Sequence, residues 1–263
     1  MSSILDKIYA AKRDELRAQR GAISPIAIVA AAGRAAKPRD FIAALRARRP
    51  AIIAEIKRAS PSKGDIFHGL DPASVAADYA NSGAAAISVL TDRHFKGSLD
   101  DLRAVRAAVD LPLLRKDFIF DPYQVYEARA AGADCILLIV AMLKEGQLRS
   151  LAALARELGM ATLVEAHNEP EFQLAEKIGT GLVGINNRDL HTFVTDIAQT
   201  ERLLDGYTGE ASIVTESGID SAADMRRLDE AGAQAFLIGE SLLREGAPGA
   251  RLGELIGAFG KVG

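Results

Sequence analysis

The chain has 263 residues, enough for one large domain or two small ones. Apolar residues make up 49% and charged residues 25%, a globular balance, and 32 basic against 35 acidic side chains leave a net charge of −3, with no basic excess for nucleic acid and no acidic tail. No tryptophan, 5% aromatics and one cysteine exclude a base-stacking platform and a disulfide framework, and point to a reducing compartment, the cytoplasm.

Residues 1–48 precede the first strand pattern. Ile4, Leu5, Ile8 and Leu16 follow a helical period, and a second short helical pattern covers 40–48. This extension either packs across the bottom of the main body or lids its open end; the pattern alone does not choose. The N-terminus lacks the basic start and apolar stretch of a secretory signal. The longest clean apolar run, 135–143, has nine residues, well short of the roughly 20 that span a membrane.

From residue 49 to 263 short apolar runs alternate with amphipathic stretches. The runs are 51–56, 85–90, 111–114, 135–140, 161–164, 181–185, 212–214 and 235–238. Several are apolar at consecutive positions, as in parallel strands covered on both faces. Helical patterns lie between them at 72–81, 99–109, 121–130, 144–158, 169–178 and 221–230. Asp71-Pro72 and Asp121-Pro122 open two of these, and glycines close many, Gly83 and Gly232 among them. Eight strands alternating with helices predict an α/β fold, a single (β/α)8 barrel with an N-terminal helical extension. An open doubly wound sheet would carry a glycine fingerprint after its first strand, and here that strand ends Glu55-Ile-Lys57.

A barrel places its active site at the C-terminal ends of its strands. Period two puts Glu55 and Lys57 on one face, so with Ile52, Ala54 and Ile56 against the helices both charges enter the mouth. Other strands end Arg115-Lys116-Asp117-Phe118, Val164-Glu165, Asn186-Asn187-Arg188, Glu216-Ser-Gly218 and Gly239-Glu-Ser241. Two lysines, three carboxylates and an amide on one rim suit proton transfer rather than a purely apolar pocket. The turns after strands seven and eight offer a phosphate cradle, glycine for close approach and serine as a hydroxyl donor. A phosphorylated small molecule is the expected partner. His68, His94, His167 and His191 show no metal-ligand spacing on one helix, so no metal site is expected.

The stretch Ile53-Ala-Glu-Ile-Lys-Arg-Ala-Ser-Pro-Ser-Lys-Gly64 resembles the signature of the indole-3-glycerol phosphate synthase family. The likeness continues through Leu90-Thr-Asp, Phe95-Lys-Gly-Ser98, Arg115-Lys-Asp-Phe-Ile119, Asp121-Pro-Tyr-Gln124, Leu163-Val-Glu165, Gly184-Ile-Asn-Asn-Arg-Asp-Leu190, Glu216-Ser-Gly-Ile219 and Leu237-Ile-Gly-Glu-Ser241. It implies a cofactor-free, metal-free lyase of tryptophan biosynthesis that closes the ring of 1-(o-carboxyphenylamino)-1-deoxyribulose 5-phosphate, releasing carbon dioxide and water.

By position, the resemblance makes Lys116 the general acid of ring closure and Glu165 a general base. Glu55 and Lys57 are strand-one catalytic positions, with Lys57 near the substrate carboxylate and an acid for dehydration. Asn186 and Glu216 hold hydroxyls and orient the lysines; Arg188 is support. Ser60, Ser217, Gly218, Gly239 and the backbone of Glu240 and Ser241 match the anchoring and phosphate site. Phe95, Phe118, Leu137, Leu190 and Leu237 match the apolar wall. One departure stands out: where the family has an arginine and an aspartate in the first loop, this chain has Phe67 and Gly69. That removes an expected loop-to-loop ion pair, with Asp117 the candidate partner, and implies a more mobile loop.

Other readings are less well supported. Phosphoribosylanthranilate isomerase needs a cysteine at the end of strand one, and the only cysteine is Cys135, inside an apolar run. A Schiff-base aldolase would use Lys116 or Lys57 as its imine lysine. A non-catalytic phosphate-binding module would need neither Lys116 nor Glu165. A monomer or weak homo-oligomer, with no nucleic-acid or membrane partner, is expected.

Overall fold

The computed structural model describes residues 4–60, 64–65, 69–189, 192–244 and 246–260, with the backbone alone at 4–7, 60 and 65. Eight parallel strands close into a barrel: β1 (Ala51–Ile56), β2 (Ala86–Leu90), β3 (Leu113–Lys116), β4 (Cys135–Ile139), β5 (Ala161–Ala166), β6 (Leu182–Asn186), β7 (Ser212–Glu216) and β8 (Ala235–Ile238). Closure is made by β1, which pairs with β2 through Ile53↔Ala86 and with β8 through Ala51↔Ala235. All eight predicted strands are present. The third starts and ends two residues later than the apolar run 111–114, because it continues through the charged Arg115 and Lys116.

Every residue of β1 is buried, and period two divides its side chains between two apolar cores. Ile52, Ala54 and Ile56 pack outward with helix residues such as Val75, Tyr79 and Leu252. Ala51 and Ile53 point inward with Leu114, Leu163, Val214 and Leu237. The same parity sends Glu55 into the barrel, as predicted.

The connecting helices are α4 (Pro72–Asn81), α5 (Leu99–Ala108), α6 (Pro122–Ala130), α7 (Glu145–Glu157), α8 (Glu169–Ile178), α9 (Ala198–Leu204), α10 (Ala222–Glu230), α11 (Glu240–Leu243) and α12 (Pro248–Phe259). Asp71 caps α4 by accepting from Ser74 N, and Ser98 and Ser221 form capping boxes on α5 and α10. Such caps satisfy amide groups that the first turn leaves without partners, each by about 1 kcal/mol. Neither α9, α11 nor α12 is predicted by periodicity. Helix α12 carries three interior glycines, at 249, 253 and 257, which lower helix propensity.

The segment ahead of β1 takes both positions left open by its sequence. It forms α1 (Ile4–Ala22), α2 (Pro25–Arg34) and α3 (Phe41–Arg46). Helix α3 seals the bottom, placing Phe41 and Leu45 among Ala51, Ala85 and Ala235 at the strands' N-terminal ends. Helix α1 crosses the opposite end, where Lys12 Nζ lies 2.8 Å from Asp117 Oδ1 and 3.3 Å from Asp92 Oδ2. The unpredicted α2 is capped by Ser24 and Pro25, buries Ile28 and Ala32, and packs on α6. No helix among the described residues is long and apolar enough to cross a membrane.

Candidate active site

The C-terminal mouth of the barrel encloses a cavity of about 410 Å³, and four alternate strands each send one ionisable side chain into it. These are Glu55 from β1, Lys116 from β3, Glu165 from β5 and Glu216 from β7. Barrel interiors stack in layers of four side chains from alternate strands, and here the top layer is ionic. Lys116 Nζ lies 3.0 Å from Glu216 Oε2, 3.6 Å from Glu165 Oε2 and 3.9 Å from Glu55 Oε2. Glu55 also meets Lys57, Oε1 to Nζ, at 2.9 Å, so this one carboxylate joins both lysines.

Two glycines make room for the layer. A Cβ on Gly184 would stand 2.6 Å from Glu216 Oε1, and one on Gly239 would stand 2.5 Å from Glu55 Oε1. Both carboxylates therefore fill space that any larger residue would take.

Burial alone would lower the Lys116 ammonium's proton affinity, but Glu216, Glu165 and Glu55 outweigh it and raise its pKa above the ordinary lysine value. Burial opposes ionisation of Glu165 too, yet Lys116 and His167 overcome this, with a hydrogen bond from Asn186, and bring it down to about 2. Glu216 goes the other way: burial pushes it up and the Glu165 charge adds to that against the pull of Lys116, leaving it at about 7. Burial resists ionisation of Glu55, but Lys57 and Lys116 hold its carboxyl below the usual range. Two carboxylates about one ammonium are thus driven apart, one a ready base and one close to neutrality.

Phe95 and Phe118 stack with centroids 6.5 Å apart and form one wall, while Leu137 and Leu237 line the cavity and Ile8 of α1 reaches it from above. Asn186 lines it as well, its Oδ1 accepting from Arg188 N at 3.1 Å. Arg188 Nε donates to Thr195 Oγ1 at 3.3 Å, and Nη2 lies 3.7 Å from Glu240 Oε2.

Ser217, Gly218, Gly239, Glu240 and Ser241 gather at one end of the cavity, with Arg244 beside them. Ser217 and Gly218 both adopt positive φ, 67° and 78°, so the chain turns sharply after β7. The prediction that both serines add hydroxyl donors is corrected for Ser241, whose Oγ donates to Ile219 O at 2.8 Å and ties the two turns together.

The expectation about Asp117 is also corrected. It accepts from Thr91 Oγ1 at 2.7 Å and pairs with Arg115 at 2.9 Å and Lys12 at 2.8 Å, so it awaits no loop arginine. Burial opposes its charge, and Arg115 and Lys12 overcome this and hold its carboxyl below the usual range. Arg115 itself faces the helix layer, 3.0 Å from Glu127, and not the mouth. The end of β1 is tied by Arg58, bidentate to Asp101 at 2.5 and 2.8 Å. Phe67, Leu190 and the Ser60 side chain lie outside the described residues.

Sequence reasoning missed His167, Ile8, Arg244 and Lys12. His167 was legible, since two residues on from Glu165 it shares that face of the strand. Its Nε2 lies 3.2 Å from Glu165 Oε1.

Comparison with known proteins gives one consistent result. Residues 5–255 match the family described as indole-3-glycerol phosphate synthase. An indole-3-glycerol phosphate synthase of a Polaromonas species is 52% identical over 98% of this chain and 99% of its own. That of Chromobacterium violaceum is 50% identical over 97% of this chain and 98% of its own. Among solved structures, N-acetylmannosamine-6-phosphate 2-epimerase from Clostridium perfringens aligns with a TM-score of 0.60 at 14% identity, covering 78% of this chain and 92% of that one. A chain of the tryptophan synthase complex of Pyrococcus furiosus aligns at 0.56 and 15% identity, covering 79% and 98%. At such identities these two structures speak for the barrel fold alone.

Proposed function

The chain belongs to the indole-3-glycerol phosphate synthase family, and we propose that the ionic layer at the barrel mouth carries out the family's reaction. The enzyme is a decarboxylating lyase of tryptophan biosynthesis acting on a phosphorylated small molecule. It closes the pyrrole ring of 1-(o-carboxyphenylamino)-1-deoxyribulose 5-phosphate.

The substrate's aromatic ring lies against Phe95, Phe118, Leu137 and Leu237. Its phosphate is held by the turns at Ser217, Gly218, Gly239, Glu240 and Ser241, with Arg188 supporting. Lys116 donates a proton to the ketone oxygen as the carboxylate-bearing ring carbon attacks, and a carbon–carbon bond forms. Carbon dioxide leaves and its electron pair returns to the ring. The new hydroxyl departs as water with a proton from Lys57, while Glu165 takes the proton from the neighbouring carbon. Asn186 and Glu216 hold the substrate hydroxyls, and Glu55 fixes the two lysines relative to each other.

The observation that carries this reading is Lys116 Nζ within 3.0–3.9 Å of carboxylates from three other strands. A buried ammonium so surrounded stays protonated until substrate enters, which a proton donor requires. Indole fluorescence tests it: purified enzyme and the anilino ribulose phosphate should generate signal at full rate in EDTA. A strict metal requirement would count against this mechanism. We infer further a cytoplasmic enzyme, monomeric or weakly associating, without nucleic-acid or membrane partners, on the strength of its near-neutral charge balance and lone buried cysteine.

A further inference from the structure

Glu165 divides its two oxygens between two cations. Oε2 lies 3.6 Å from Lys116 Nζ, and Oε1 lies 3.2 Å from His167 Nε2. His167 follows β5 directly and its side chain is 8% exposed. It does not line the cavity. Its other nitrogen, Nδ1, lies 3.2 Å from Glu171 Oε2 in the first turn of α8. The same oxygen accepts the His167 backbone N–H at 2.9 Å, and Gln199 Nε2 donates to the His167 carbonyl at 2.5 Å. Ring and backbone are thus held by α8 and α9, with Nε2 facing the base.

We propose that His167, oriented by Glu171, is a positioning residue for Glu165: it holds one carboxylate oxygen so that the other faces Lys116 and the substrate, and it keeps the base ionised through the turnover. The inference rests on the reading of Glu165 as the base. Its physical reason lies in the sequence of proton transfers. Once Lys116 has given up its proton it is neutral, and Glu165 loses its closest cavity cation. Asn186 offers Glu165 only an uncharged amide, and Glu216 a group of like charge. His167 is the cation that stays. Burial works against a charged imidazole there, but carboxylates on both sides overcome it and hold His167 at about 10.

Three variants test this: His167→Gln keeps an N–H donor without the charge, His167→Ala keeps neither, and Glu165→Gln removes the base. Each is followed by indole fluorescence from pH 4.5 to 8.5, with a thermal melt to confirm folding. His167→Ala should lower kcat by about 10- to 100-fold at pH 7.5 with KM changed by less than about threefold. His167→Gln should recover most of that kcat at pH 7.5, yet lose more activity than the parent toward pH 5, its acid limb displaced upward by about one to three pH units. Parent-like kcat and parent-like pH profiles for both His167 variants, with Glu165→Gln inactive, would overturn the proposal. Glu165→Gln retaining activity within about tenfold of the parent would instead overturn the base assignment on which it rests.

Discussion

Lys116 and Glu216 meet at 3.0 Å although their strands, β3 and β7, stand on opposite sides of the barrel. The contact spans the mouth's diameter and can exist only if the barrel closes in this register. It makes folding and the preparation of the acid one event. Replacing the lysine by methionine leaves Glu55, Glu165 and Glu216 facing one another without their central cation. Their carboxyls then titrate higher in the folded than in the unfolded chain. Native protein binds the extra protons, so stability falls as pH rises through that window. We predict that Lys116→Met is more stable, relative to the parent, at pH 5 than at pH 8 in urea unfolding; an equal difference at both values would contradict the shared layer.

Glu216 allows a second test of sign. Burial, aided by Glu165, raises it to about 7 against an ordinary value of 4.5. Its contribution is present in full below pH 4.5 and is lost as pH rises toward about 7. Glu216→Gln cannot ionise. Its stability relative to the parent should improve by ~1–3 kcal/mol between pH 4.5 and 8. A constant difference would mean that Glu216 is ionised throughout.

Gly239 is needed for space rather than for backbone freedom, since its φ is −128°. Alanine there would drive a Cβ to 2.5 Å from Glu55 Oε1 and 3.0 Å from Glu55 Cβ. Glu55 must move, and it carries the contacts to Lys57 and Lys116. We expect Gly239→Ala to lose ~1–3 kcal/mol of stability and about tenfold or more in kcat. Gly253, exposed in α12 with open space about it, is the control. Gly253→Ala should be fully active and ~0.5–1 kcal/mol more stable.

Much of this arrangement is legible in the chain. Strands buried on both faces appear as continuous apolar runs, so all eight are visible, and strand parity alone turns Glu55 inward. The same parity reaches His167, which a search for metal-ligand spacing passes over. Other features depend on contacts between distant segments. Helix α2 reads Pro-Ile-Ala-Ile-Val-Ala-Ala-Ala, with no polar face to give it a period. Helix α1 is placed on the mouth by Lys12 meeting Asp92 and Asp117, and nothing in its own periodicity names those partners. Ser241 reads as a ligand donor and is consumed by a carbonyl of the adjoining turn.

That α1 placement carries its own prediction. Lys12 is 2% exposed, and its ammonium is shared among Asp92, Asp117 and Glu15. Burial would lower its proton affinity, but Asp117 and Asp92 raise it instead. Lys12→Met should cost ~1–3 kcal/mol by taking the shared ammonium from Asp92 and Asp117, which keep His94 and Arg115 respectively as partners. Because α1 also brings Ile8 to the cavity, KM should rise as the helix loosens. Unchanged KM and unchanged melting temperature would show that α1 is held by other contacts.

The most direct test is a single-turnover indole-fluorescence measurement on Lys116→Ala at pH 7.5, beside circular dichroism and a melt. The account predicts a folded protein that binds the substrate and forms no indole. A folded Lys116→Ala that turns over within about tenfold of the parent would contradict it, because a proton donor at this position is worth about 100-fold or more.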